Sequence, residues 1–252
     1  MERVVTSAGV MRPPFMQIER RSLLAGLPLL ALATQARADT VDLSLSCDTT
    51  LAPALRKVAA AYNAKTSVRV FVFATGPGLI LPQLERNIQN DIVVTQIPVL
   101  QAAAEAKIIA AVPSAPRWRN PLVIAGLSDA SSLDGVFAAS DPTPASDIDG
   151  PALLAKLELK PARVLGAVDT DEVAQLLLTG AAQAGILHMT DVRAHPRLAV
   201  IRPVPNDVAP PLVYAASITR LSSRPNPQGF IAFLATPEAR TLLAAAGLET
   251  ET

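Results

Sequence analysis

From residue 41 onward, the spacing of apolar and polar residues divides the chain into short strands and helices. "VDLSLS" (41–46) sets Val41, Leu43 and Leu45 at alternate positions, the period of a strand with one buried face. "TTLAPALRKVAAAYNAKT" then brings Leu51, Leu55, Val58 and Tyr62 onto one helical face. Thr49 or Thr50 is placed to cap that helix, and Pro53 is tolerated in its first turn. "VRVFVFA" (68–74) reads as a second strand, and a helix carrying Leu79, Leu84 and Ile88 follows a Gly-Pro-Gly turn. "DIVVT" (91–95) is a third strand and "PVLQAAAEAKIIA" (98–110) a third helix. This β-α-β-α-β-α order predicts an α/β fold with a largely parallel sheet. Ligands of such sheets bind outside the carboxyl ends of the strands. The loops "SCDTT" and "ATGPG" lie on that edge.

Beyond residue 120 the pattern continues. "NPLVIAGLSD" (120–129) predicts a strand leaving the first unit, and "GVFAASDPTPASDIDGP" (135–151) a strand followed by a turn-rich loop. Helices are expected at about 151–159 and 171–183, and strands at 184–189, 198–204 and 211–219. The end, 226–249, is helical with a break near Pro237. No period of 20–50 residues recurs, which excludes a solenoid.

Composition narrows the class. The chain has 252 residues, half of them hydrophobic, enough for one large domain or two lobes. Aromatics are 4%, so the core rests mainly on Ala, Leu, Val and Ile. Formal net charge is zero with no basic stripe, which argues against nucleic acid as a partner. Cys47 is the sole cysteine, so no intramolecular disulfide forms, and it reads as a small buried hydrophobe. Residues 1–38 read as a signal peptide: Arg20-Arg21, an apolar stretch from Leu23 to Ala33, then Ala36-Arg37-Ala38 as a small-x-small cleavage pattern. The apolar stretch is too short to span a bilayer. The paired arginines suit twin-arginine export, with the general secretory route open. Met16 would serve as an alternative start, and the mature chain is expected to begin at Asp39.

No enzyme motif appears. There is no Gly-x-Ser-x-Gly, phosphate loop, His-Glu-x-x-His or Cys-x-x-Cys, so no catalytic residues, resident metal or cofactor are expected. Asp169, Asp171 and Glu172 read as helix-start carboxylates, and His195 as a solvated histidine. A convergence of Cys47, Asp48 and His188 on a soft metal is an alternative, since both segments end strands at the cleft.

Four pieces carry a resemblance: "TTLAPALRKVAAAYNAKTSVRVFVFATGPGL", "NDIVVTQ", "SDPTPA" and "DEVAQLLLTGAAQAGILHMTDV". In order and spacing they resemble the periplasmic molybdate-binding proteins of ABC importers, within the type II periplasmic-binding superfamily. The resemblance spans nearly all of 41–248. It implies two α/β lobes joined by two crossing strands, with "PLVIAG" and "PLVYAAS" at the crossings. Lobe one would be 39–120 plus 216–252 and lobe two 121–215, closing on a ligand in the cleft. It further implies a periplasmic monomer that captures a small anion, such as molybdate or tungstate, and serves an ABC permease.

The same resemblance nominates ligand donors. Thr50 falls on the family's first serine ligand and Thr75 beside the second. Gly76 replaces that second serine and offers only an N–H. Val173 falls on a position that donates its backbone N–H, and the loop from Thr143 to Ser146 supplies another. His188 replaces a tyrosine, and Asp147 and Asp149 stand near a tight Pro-Ala-Gly turn of the family. A histidine at that position would bring pH dependence near 6.5. The added carboxylates leave open an accessory or sensor protein that binds another ligand, such as a metal ion or a small carboxylate.

Overall fold

The computed structural model describes residues 41–251 apart from 87, 89, 115 and 128–132. The expected signal peptide lies outside the described residues. Eleven strands and eight α-helices follow in chain order among the described residues. The first half contains β1 (Val41–Asp48), α1 (Ala52–Asn63), β2 (Val68–Thr75), α2 (Pro77–Glu85), β3 (Ile92–Gln96), α3 (Ile97–Glu105), β4 (Arg117–Asn120) and β5 (Leu122–Leu127). Next come β6 (Val136–Ser140), α4 (Gly150–Lys156), β7 (Arg163–Ala167), α5 (Thr170–Leu178), β8 (Ala184–His188) and α6 (Met189–Ala194). The chain ends with β9 (Leu198–Pro203), β10 (Leu212–Ile218), α7 (Pro227–Leu234), α8 (Pro237–Ala245) and β11 (Glu249–Glu251).

Two sheets organise these elements into two lobes. The first runs β11-β4-β10-β3-β1-β2, and the second β7-β6-β8-β5-β9. In the first sheet, β1 pairs in parallel with β2 and β3, and β10 is antiparallel to β3 and β4. In the second, β6 is parallel to β7 and β8, while β5 is antiparallel to β8 and β9. The backbone passes between sheets at Pro121 and again through 204–211, so β5 and β10 each lie wholly within one sheet.

The cores follow the apolar periodicity. In the first lobe, Leu51, Leu55, Val58 and Tyr62 of the first helical segment are buried with Leu43 and Leu45 of β1. Val173, Ala174 and Leu177 of α5 bury against Val123, Ala125 and Ala138 of the second sheet. Cys47 lies in the first core, and burial pushes its thiol far above the usual range, as for an inert buried thiol.

Several boundaries differ from the sequence expectation. Neither Thr49 nor Thr50 caps α1; both lie in a 3-10 turn, Thr49–Leu51, whose preceding residue makes no side-chain cap bond. Ile88 lies beyond α2 and is half exposed. α5 stops at Leu178, because Gly180 takes a left-handed φ of 75° and turns the chain out of the helix. Met189 starts a helix instead of ending a strand. The reason is a capping box, in which the Asp191 side chain accepts from the His188 N–H. β4, β7, β11 and α6 carry too little periodicity to be read locally. β7, an edge strand, exposes Arg163 and Val164. Among the described residues no helix is long and apolar enough to cross a membrane.

Candidate functional site

The carboxyl ends of β1, β2 and β3 meet the 141–149 loop, the N-terminus of α5 and the end of β8 in a cleft between the two sheets. The space left open there is about 10 Å³, lined in part by Asp48, Thr50, Pro77, Ser146, Asp147 and Thr170. That is about the room one water needs. A larger hollow of about 210 Å³ lies over Phe71, Phe73 and Arg224 and contains none of the residues nominated from the sequence.

Asp147 fills the cleft. Its Oδ1 lies 2.9 Å from His188 Nε2. Its Oδ2 accepts from Gln96 Nε2 at 2.8 Å and from the Tyr214 hydroxyl at 3.2 Å. The donors come from three strands: Gln96 from the end of β3 and Tyr214 from within β10 in the first sheet, His188 from the end of β8 in the second. Burial opposes the Asp147 charge, but His188 and the converging donors outweigh it and hold the carboxyl below its usual range. Burial alone would likewise lower His188. The Asp147 charge, their shared hydrogen bond and the Asp191 charge instead raise it to about 9. His188 is fully buried and carries its proton at neutral pH.

A second carboxylate stands beside the first. Asp48, the last residue of β1, is completely buried. Its Oδ1 accepts from the Thr95 hydroxyl at 2.7 Å, and its Oδ2 lies 3.4 Å from the Gln96 amide nitrogen that also serves Asp147. Burial first, and the Asp147 charge with it, push the Asp48 carboxyl up to about 7, against the Thr95 and Gln96 hydrogen bonds.

Thr50 sits in a hydrogen-bond relay across the lobes. Asn120 donates to Thr190 at 2.9 Å, Thr190 and Thr50 share a bond of 2.7 Å, and Thr50 donates to Asp191 at 2.8 Å. The Thr50 hydroxyl therefore lines the cleft with its proton already engaged.

The Gly-Pro-Gly turn answers to a steric demand. A Cβ on Gly76 would stand 2.6 Å from the Ala145 Cα, and one on Gly78 2.9 Å from the Pro144 carbonyl oxygen. The Gly78 N–H donates to that same oxygen at 3.1 Å. The two lobes thus touch backbone to backbone where only glycine fits.

The remaining nominated residues fall near the cleft with their groups engaged. Thr75 accepts from the Gln83 amide at 3.0 Å. The Ser146 hydroxyl accepts from the Ile148 N–H, and its own N–H donates to Thr143. The Val173 N–H donates to the Asp169 carbonyl at 3.2 Å within the first turn of α5, and its side chain is buried in the core. The N-cap of that helix is Asp169, whose side chain accepts from the Glu172 N–H. Asp149 is likewise a cap, accepting from Ala152 at the start of α4. His195 is half-buried, not fully solvated, with Nδ1 2.9 Å from the Asp191 carbonyl oxygen. Among the described residues no group of three or more His, Cys, Asp or Glu side chains is disposed to hold a metal ion.

Sequence reasoning missed Gln96, Thr95, Tyr214, Thr190 and Asp191. Gln96 carried one available signal, a polar residue ending an apolar strand on the ligand edge. Tyr214 sits inside an apolar run and reads as core.

No curated protein matches the chain by sequence. Solved structures share its fold. The periplasmic molybdate-binding protein of Azotobacter vinelandii is 17% identical, with 83% of this chain and 100% of that chain covered and a TM-score of 0.69. A substrate binding domain assigned to a molybdenum ABC transporter of Clostridium difficile is 18% identical, covering 84% of this chain and 100% of its own, with a TM-score of 0.67. The sulfate-binding protein SubI of Mycobacterium tuberculosis is 15% identical, with coverages of 83% and 87% and a TM-score of 0.65. At such identities the likeness is one of fold, and the fold is the two-lobe α/β architecture of periplasmic binding proteins. The family model of bacterial extracellular solute-binding proteins matches residues 43–249, all but the first two and last two residues of the described span, and the chain belongs to that family.

Proposed function

We propose that this is an exported solute-binding protein that captures a small anion in the cleft between its sheets and passes it to an ABC permease. A molybdate- or tungstate-like oxyanion is the primary ligand class. The observation that carries this reading is the convergence of His188, Gln96 and Tyr214 on a single carboxylate inside the cleft. Charge-assisted hydrogen bonds of this kind are the strong ones, and they recognise an anion by the oxygens it presents. Neighbours of the same fold that bind molybdate and sulfate support the class. Arg20-Arg21, the apolar stretch and the Ala-Arg-Ala pattern support export, with Asp39 as the mature N-terminus.

A second reading has one specific observation behind it. Asp48, Asp147 and Asp169 all line the cleft. Acceptor oxygens disfavour a fully ionised dianion and favour a small carboxylate or hydroxy acid that brings a proton, held by an accessory or sensor protein of the same fold. A thermal-shift screen of the mature protein separates the two. Molybdate, tungstate, sulfate, phosphate, small carboxylates and divalent metals are the probes. Stabilisation by tetrahedral oxyanions supports the first reading and stabilisation by carboxylates alone the second. Response to divalent metals only would overturn both.

A further inference from the structure

We infer that Asp147 is an internal competitor for the cleft: its carboxylate occupies the anion position, and a solute anion enters only as this side chain leaves. The inference rests on the anion reading above and deepens it.

Stereochemistry comes first. A carboxylate and a small oxyanion present the same features to a binding site, negative charge and acceptor oxygens. In this cleft those features already belong to the chain. Asp147 takes the Nε2 of His188 on one oxygen, and the Gln96 amide and Tyr214 hydroxyl on the other. His188, at the position that the sequence resemblance assigns to a ligand donor, points its donor atom at Asp147.

Volume comes second. The open space beside Asp147 is about 10 Å³. That is room for about one water, and a tetrahedral oxyanion, several times larger, does not fit while the carboxylate stays. Charge acts in the same direction, because Asp48 already stands beside Asp147 and shares its Gln96 donor, so a further anionic group would meet two carboxyls.

The third element is the loop that carries Asp147. It spans 141–149 between β6 and α4, and Pro144 and Ala145 on it make the close backbone contact with Gly76 and Gly78. Withdrawal of the carboxylate and separation of the lobes are therefore movements of one segment. The mechanical link gives the ligand-free protein a closed arrangement of its own, held by its own anion.

The energetic consequence is a lowered apparent affinity. A tethered group competes at an effective concentration in roughly the millimolar range. The observed affinity falls by the fraction of molecules with the position vacated. Selectivity rises in parallel, since only anions that satisfy the donors better than a carboxylate displace it.

The test compares the wild-type mature protein with Asp147→Ala and Asp147→Asn, using calorimetry and thermal shift against molybdate, sulfate, acetate and formate. Asp147→Ala should bind at least one of these anions about tenfold or more tightly than wild type. Formate, the size of the deleted carboxylate, should raise the Tm of Asp147→Ala and leave wild type unmoved. Asp147→Asn keeps the shape and drops the charge, so it should also gain affinity, and it carries the test if the alanine variant fails to fold. If wild type binds an anion and both folded variants bind it equally or less well, Asp147 is a structural or ligand-contacting group, and the inference falls alone. If neither wild type nor the folded variants respond to any anion, the anion reading of the cleft falls and the inference with it.

Discussion

At the residue scale the cleft is governed by which group holds a proton. His188 is raised to about 9 by its carboxylate partners, so it is charged throughout the neutral range. An unpartnered histidine would titrate near 6.5, which is where the sequence alone places the pH dependence. The structure moves that dependence to Asp48, raised to about 7 by burial. Its sign follows from linkage. A raised carboxyl binds more protons folded than unfolded between about 4 and 7, so its contribution to stability is complete below the unfolded value and lost as pH rises through about 7. Asp48→Asn should remove that slope, seen as a flatter Tm against pH from 4 to 8, each kcal/mol being worth about 2–4 °C. Anion binding should respond in the same direction. A proton on Asp48 removes a repelling charge, so affinity should rise as pH falls through about 7. Asp48→Asn should abolish this effect in calorimetry at pH 5.5 and pH 8, while a substitution of His188 that still folds should not. Thr50 is the other residue to test. It donates to the buried Asp191, so Thr50→Ala leaves a carboxylate short of a partner and should cost roughly 1–3 kcal/mol of stability. Urea denaturation measures that.

At the scale of elements the decisive piece is the turn that joins β2 to α2. Its glycines permit a backbone contact between the first sheet and the 141–149 loop, and a methyl group at Gly76 would come within 2.6 Å of the Ala145 Cα. Gly76→Ala should therefore hold the lobes apart without unfolding either one. Small-angle scattering of the ligand-free variant should show a larger radius of gyration than wild type, with circular dichroism unchanged. An unchanged radius would mean that the loop yields, not the lobe interface. The start of α5 is a simpler case. Asp169 caps the helix through the Glu172 N–H, and the Glu172 side chain returns a bond to Val168. Asp169→Ala should cost about 1 kcal/mol, the usual worth of an N-cap, measured by urea denaturation. Both devices were readable locally, the cap from its residue types and the turn from its glycines. What the turn is for was not, because its partner lies some seventy residues further along the chain.

At the scale of the whole molecule, the two sheets carry separate cores, and the cleft is lined by polar groups from both. A ligand that bridges them should stabilise the protein as a unit. At 100 times its Kd it should add about 2.7 kcal/mol, visible as a Tm increase of several degrees. A Tm unchanged by any small anion would remove the interlobe cleft as the anion site. The sequence by itself determined the α/β order, the placement of the main apolar faces and the edge of the first sheet where chemistry collects. Those follow from periods of two and 3.6 residues and from glycine and proline, all local properties of the chain. It left β4, β7, β11 and α6 unread, since short or edge elements carry too few buried positions to set a period. Tertiary structure alone decided that Thr50 meets Asp191 and that Gln96 and Tyr214 meet Asp147. It also decided that Asp147 fills the space its neighbours define, and that the titration near neutrality expected at His188 falls to Asp48. The reason is that contact across such separations depends on how two sheets pack, and charge depends on burial and on neighbours. Neither quantity exists until the chain has folded.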